Sequence, residues 1–159
     1  MIFVAVGTQK FPFNRLLKGI DDLIDQGQLE EEVFAQIGHS DYVPRNYGFQ
    51  DFLTKEDFQN YISNCDVLIT HSGVATIIAG MKLEKPVVVV PRFASYGEHV
   101  DDHQLQIAES FSDKNLVLMC KNMNQLAQTV QQAKTHRFSR YVSQKERIIN
   151  TIRDYLESI

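Results

Sequence analysis

Short apolar runs closed by glycine or proline alternate along this chain with longer stretches in which apolar residues return every third or fourth position. These two periods mark buried strands and amphipathic helices. Ile2 to Val6 is the first run, apolar throughout and ended by Gly7-Thr8, which predicts a strand buried on both faces. Leu16, Leu17, Ile20, Leu23 and Ile24 then fall at helical spacing, with Gly27 as a stop. Glu32 to Ile37 reads as a second strand ended by Gly38, and the loop running to Gly48 leaves room for a brief strand around Asn46 to Phe49. Thr54 has the chemistry of an N-cap, since Glu56 and Asp57 occupy the next turn and Phe58, Tyr61 and Ile62 follow on one face of a helix ending near Asn64.

Asp66 to Thr70 predicts a strand, His71-Ser72-Gly73 a turn, and Val74 to Leu83 a helix with Ala75, Ile78, Ala79 and Met81 facing inward. Val87 to Val90, four β-branched residues between Pro86 and Pro91, suit a buried parallel strand. A polar loop to about Val100 leads into a helix through Gln104, Ile107, Ala108 and Phe111. A strand over Asn115 to Met119, a helix over Met123 to Ala133 and a long last helix over Tyr141 to Ile159 complete the pattern. Strand and helix alternate throughout, which predicts a Rossmann-like α/β fold: a parallel sheet with helices on both faces, joined by right-handed crossovers.

At 159 residues the chain fits a single domain, and 43% hydrophobic with 23% charged residues is the balance of a folded globular protein. The formal net charge of -4 provides no general field for phosphate backbones, so nucleic acid is not expected as a partner and any anion site must be local. Cys65 and Cys120 belong to no metal-spaced cluster and read as reduced, buried thiols. The opening run has no basic flank and stops at Gly7, too short for a signal peptide or a membrane span. The protein is expected in the cytoplasm, with any membrane attachment made through a partner.

Ligands of open parallel sheets bind beyond the carboxyl ends of the strands, which directs attention to three loops. His71-Ser72-Gly73-Val74-Ala75-Thr76 runs from a strand into a helix whose first turn offers free N–H groups and the positive end of a dipole, a geometry suited to a diphosphate. Ser72 as an ordinary N-cap and Gly73 as an ordinary turn residue are the plainer alternatives. Gly7-Thr8 makes a similar turn but lacks the GxGxxG spacing of a dinucleotide site, and no GxxxxGK[ST] loop is present. Glu98 to Gln104 packs an acid, His99, Asp101, Asp102, His103 and Gln104 before a helix; it reads either as negative charge placed at a helix N-terminus or as a metal site built on His99, His103 and Asp102.

Taken together, Ile2 to Thr8 with Phe13-Asn14-Arg15-Leu16, the block Thr70 to Thr76, and Lys85-Pro86 through Pro91 to Asp102-His103-Gln104 resemble the C-terminal domain of glycosyltransferase family 28. With Gly97-Glu98-His99, the resemblance is closest to the small catalytic subunits of bacterial capsular and exopolysaccharide glycosyltransferases, whose eukaryotic counterpart adds the second N-acetylglucosamine to dolichol-linked sugar. It implies the donor-binding half of a GT-B enzyme. In that reading Ser72, Gly73, Val74 and Thr76 hold the donor diphosphate, Gly7 and Thr8 line the cleft facing the acceptor, and Asp102, His103 and Gln104 serve the donor sugar. His71, Glu98 and His99 are the candidates for general base. A glutamate that grips the ribose in the peptidoglycan relative is replaced by Ala79.

The resemblance further implies an inverting, metal-independent transfer of a hexose, galactose favoured, from a UDP-sugar to a lipid-linked sugar, with no cofactor. The acceptor half would come from a membrane-anchored partner subunit that holds the chain at the inner face of the cell membrane. The apolar positions of residues 138–159 suggest a helix that docks on such a partner or covers the chain's own sheet. A non-catalytic nucleotide-sugar-binding or regulatory subunit is the alternative reading.

Overall fold

A computed structural model describes residues 1–98, 102–139 and 152–157. Strand β1 (Ile2–Ala5) shows why the chain forms layers: Ile2, Val4 and Val6 enter one apolar cluster and Phe3 and Ala5 enter another, because successive side chains of a strand point to opposite faces. The other strands are β2 (Val33–Gln36), β3 (Gly48–Gln50), β4 (Val67–Thr70), β5 (Val87–Val89) and β6 (Leu118–Met119), all parallel, in the order β3-β2-β1-β4-β5-β6. Helices α1 (Asn14–Asp25) and α5 (Leu126–Thr135) cover one face, with Leu16, Leu17, Ile20, Leu126 and Val130 buried against Val4, Ile69 and Val88. Helices α2 (Lys55–Asn64), α3 (Val74–Lys82) and α4 (His103–Asp113) cover the other through Ile62, Ile77, Met81, Ala108 and Phe111.

The elements expected up to Ala133 are present, and the differences have local causes. Thr54 caps α2 as expected, its Oγ1 accepting from the Asp57 N–H at 3.1 Å. Helix α3, however, buries Ile77, Gly80 and Met81, and Ala75 is exposed. Gly80 sets this rotation: a Cβ there would lie 2.7 Å from Leu68 and 2.9 Å from Val87, so the helix seats its bare backbone on β4 and β5. β6 starts only at Leu118 because Asn115 turns the chain in the left-handed region, with φ 58°. Asn115 also ties down the segment after α5: its Nδ2 donates to the Arg137 carbonyl and its own carbonyl accepts from the Ser139 N–H, each at 2.9 Å. Residues 136–139 are accordingly non-helical, which moves the start of any C-terminal helix beyond residue 138. Residues 152–157 are helical, with Ile152 against the second cluster; the remainder of that expected helix lies outside the described residues.

Cys65 and Cys120 are free and buried, one in each cluster, and burial pushes both thiols up in pKa, away from nucleophilic use. The fully buried Asp21 organises the loop between β2 and β3, accepting from Tyr42 Oη at 2.6 Å, the Arg45 N–H at 2.9 Å and the Asn46 N–H at 3.0 Å. Burial alone would raise its pKa, but these hydrogen bonds outweigh burial and the net direction is down. Asp21→Asn should therefore cost about 1–3 kcal/mol at neutral pH. The carboxylate's contribution is full above about pH 4 and is lost as pH falls through its depressed folded value, so the gap between wild type and variant should close in acid. Urea unfolding at several pH values checks both expectations.

Candidate functional site

Strand order reverses between β1 and β4: β1 crosses by α1 to β2 on one side, and β4 crosses by α3 to β5 on the other. Such a switch point opens a crevice at the carboxyl ends of the two strands. The ends are tied together by Thr70, whose Oγ1 donates to the Ala5 carbonyl at 2.8 Å, and by the His71 N–H, which donates to the same carbonyl at 3.3 Å. The His71 side chain, 5% exposed, then fills the space between the two turns. A Cβ on Gly7 would fall 2.5 Å from its Nε2, and one on Gly73 would fall 2.4 Å from its Cε1. Gly7 also sits at φ 83°, where other residues are strained, and a Cβ on Gly38 would meet the Gly7 carbonyl at 2.5 Å.

Around this stack lies a cleft of about 490 Å³ lined by Gly7, Thr8, His71, Gly73, Val74 and Thr76, all singled out from sequence. Its far wall comes from the end of β2 and the start of α2: Gln36, Leu53, Lys55 and Phe58. Sequence reasoning missed this wall. Gln36 brings it into place by accepting from the Leu53 N–H at 2.9 Å. The N-cap of α3 is Gly73 and no side chain caps the helix, so its first-turn N–H groups receive no capping side chain. Ser72 is therefore not an N-cap. Its Oγ is buried and has no hydrogen-bond partner among the described residues.

The second constellation forms around the loop between β5 and α4. Glu98 is 4% exposed and its carboxylate is engaged on both oxygens: Oε1 accepts from Arg15 Nη2 and the Phe93 N–H, each at 3.1 Å, and Oε2 accepts from Arg15 Nε at 3.0 Å. Both oxygens of this candidate base are thus engaged by Arg15 and the Phe93 N–H. The Arg15 guanidinium also lies over the rings of Phe13, Phe93 and Tyr96 at 5.1–5.4 Å. Arg92, 1% exposed, donates to the carbonyls of Val6, Phe11 and Glu98 and so joins the loop after β1 to the loop after β5. Burial pulls its pKa down to about 10 against the upward pull of Glu98, which leaves it charged at neutral pH. Neither arginine had been assigned a role from sequence.

Asp102 sits at the N-cap position of α4 without capping it; its Oδ1 accepts from the Ala94 N–H at 2.9 Å and fixes the 3-10 turn at Ala94–Tyr96. His103 opens α4, and Gln104 is 5% exposed with its Oε1 unpartnered among the described residues. His99 and Asp101 lie outside the described residues, and with His99 the metal alternative. Among the described residues no three His, Cys, Asp or Glu side chains are grouped to hold a metal ion.

A parallel sheet in this order, opening at its switch point onto an uncapped helix N-terminus, is the architecture of the C-terminal halves of GT-B glycosyltransferases. The chain belongs to glycosyltransferase family 28, whose C-terminal domain matches residues 1–159. It is 30% identical over 99 residues to the UDP-N-acetylglucosamine transferase subunit ALG13 of Candida albicans strain SC5314; the match covers 62% of this chain and 32% of that relative. Among solved structures it resembles the glycosyltransferase of kitacinnamycin (18% identity, TM-score 0.64, covering 99% of this chain and 39% of that one). It also resembles the solution structure of ALG13 (20%, 0.61, 95% and 96%) and Acinetobacter baumannii MurG (19%, 0.53, 95% and 49%).

Two substitutions test the geometry. Gly73 has an ordinary negative φ, so Gly73→Ala should cost about 1–3 kcal/mol only through collision with the imidazole. The same substitution in a His71→Ala background should cost at least about 0.5 kcal/mol less, and a double-mutant cycle of denaturation energies measures the difference. Glu98→Ala strips a buried partner from Arg15 and should cost about 3 kcal/mol by the same measurement.

Proposed function

We propose that the chain is the donor-binding, catalytic part of an inverting glycosyltransferase that transfers a hexose from a UDP-sugar to a lipid-linked sugar in capsule or exopolysaccharide synthesis. The observation that carries this reading is the uncapped N-terminus of α3 opening onto the switch-point cleft. Backbone N–H groups there, with Ser72, Gly73, Val74 and Thr76, take the donor's diphosphate. His103 and Gln104 hydrogen-bond the donor sugar, and the unpartnered Gln104 Oε1 suits an acceptor for a sugar hydroxyl. An acceptor hydroxyl attacks the anomeric carbon as the bond to the diphosphate breaks. The charge growing on the leaving group is held by fixed amides and a helix dipole, which lets the transfer proceed without a metal.

His71 lines the cleft and is the base candidate within it; the alternative is a base supplied by the acceptor side. The chain covers 39–49% of the kitacinnamycin enzyme and MurG, and the Candida relative is named a transferase subunit. The subunit name supports a partner protein, and in this proposal that partner is membrane-anchored, supplies the acceptor half and keeps this chain at the inner membrane face. Among the described residues no helix is long and apolar enough to cross a membrane itself. UDP as carrier agrees with the Candida relative's name. The capsular resemblance favours galactose, and that name favours N-acetylglucosamine.

UDP at 100 times its dissociation constant should stabilise the chain by roughly 2.7 kcal/mol in thermal unfolding. With the partner present, labelled hexose should pass from UDP-galactose or UDP-N-acetylglucosamine to membrane lipid, and Gln104→Ala should lower that transfer at least about tenfold with little change in melting temperature. Stabilisation by UDP without transfer to any lipid would identify a non-catalytic nucleotide-sugar subunit instead. No response to UDP would end both readings.

A further inference from the structure

We infer that Lys55 supplies the positive charge that the diphosphate of the donor meets in the cleft, an inference that rests on the donor-binding reading and adds a residue to it. The argument starts from charge. The chain carries a formal net charge of -4, so an anionic ligand is drawn in only by local groups. Among the described residues, those lining the cleft include no carboxylate, and apart from the imidazole of His71 their single ionisable group is the ammonium of Lys55.

Other cations near the carboxyl ends of the strands are already engaged. Arg15 is held by Glu98, the Pro91 carbonyl and three aromatic rings, Arg92 by three carbonyls, and Lys10 lies over the ring of Phe11 at 5.6 Å. Lys55 is exposed and has no hydrogen-bond or ion-pair partner among the described residues. It is also the first residue of α2, where the helix dipole favours acids, as at Glu56 and Asp57 beside it. A cation at this position gains nothing from its own helix. What it faces is a carboxylate-free cleft whose opposite wall is the uncapped start of α3, with the buried and unpartnered Ser72 hydroxyl in the same turn. A flexible ammonium opposite fixed amides can follow a diphosphate as it enters and leaves, the part a divalent cation plays in metal-dependent transferases.

Calorimetric titration of the full chain with UDP and with uridine tests this, the weaker uridine binding being read by amide chemical shifts where heat is too small. Lys55→Met should weaken UDP binding about tenfold or more, leave uridine binding and the melting temperature unchanged, and flatten the loss of UDP affinity between about 0.05 and 0.5 M salt. Lys55→Arg should keep most of the UDP affinity. If UDP affinity and its salt dependence are the same in Lys55→Met and wild type, or if UDP and uridine weaken in parallel, the inference is wrong while donor binding stands. If wild type does not bind UDP, the donor-binding reading and the inference fall together.

Discussion

The His71 imidazole is wedged against Gly7 and Gly73, two positions without a Cβ, and the geometry of the cleft follows from that contact. Gly7 and Gly73 both leave room for the Cε1–Nε2 edge of the ring, while Thr70 and the His71 N–H lock the ends of β4 and β1 to a shared carbonyl. Two backbone segments that would otherwise be independent loops are thereby fixed relative to each other. Fixed N–H groups are what a metal-free anion site requires, because donors that must reorganise around a developing charge lose much of their stabilising effect. The glycines serve the ring first: the space for the imidazole is set by their missing Cβ atoms.

A second brace acts at the loop between β5 and α4. Arg15, Arg92 and Glu98 bring two cations and one anion together, with the cationic heads also over aromatic rings. Buried ions of this kind are poor contributors to stability when compared with apolar packing. What they provide here is connection, since Arg92 alone reaches the end of β1, the Phe11 loop and the β5–α4 loop. The Glu98 end of that loop leads through Asp102, which pins the Ala94 turn, to Gln104 at the head of α4. The turn before α3 and the head of α4 are thus held by separate braces that both start from the end of β1.

How far the sequence revealed this depends on the kind of signal. Strands and helices were legible because burial imposes a period, and the three ligand-facing loops were legible because glycine and proline punctuate the ends of strands. The inward face of α3 was not, because a helix that seats a glycine on a sheet breaks the rule that larger apolar residues mark the buried side. Arg92 was hidden for a different reason: a charged residue within a polar loop reads as solvated, and only tertiary structure shows three carbonyls converging on it. The wall formed by Gln36, Leu53, Lys55 and Phe58 lies well away in sequence from the turn it faces, so no spacing rule connects the two. Glu98 reads from sequence as a candidate base or as charge at a helix N-terminus, and only the fold shows its carboxylate holding Arg15.

Buried side-chain atoms without a partner collect at the carboxyl ends of the strands. Among the described residues the buried side-chain atoms without a partner include Ser72 Oγ, Arg92 Nε and Gln104 Oε1, and all three belong to loops or helix starts at the carboxyl ends of the strands. A buried polar atom with no partner costs about 1–3 kcal/mol, and folded domains usually carry few of them. Glu31 Oε2, at the other end of the sheet, has its neighbouring oxygen in an ion pair with Lys134 and needs no ligand to account for it. Ser72 and Gln104 have no such neighbour in compensation. Each stands at the start of a helix at the carboxyl ends of the strands, Ser72 just before the N-cap of α3 and Gln104 in the first turn of α4, although neither side chain lines the cleft around His71.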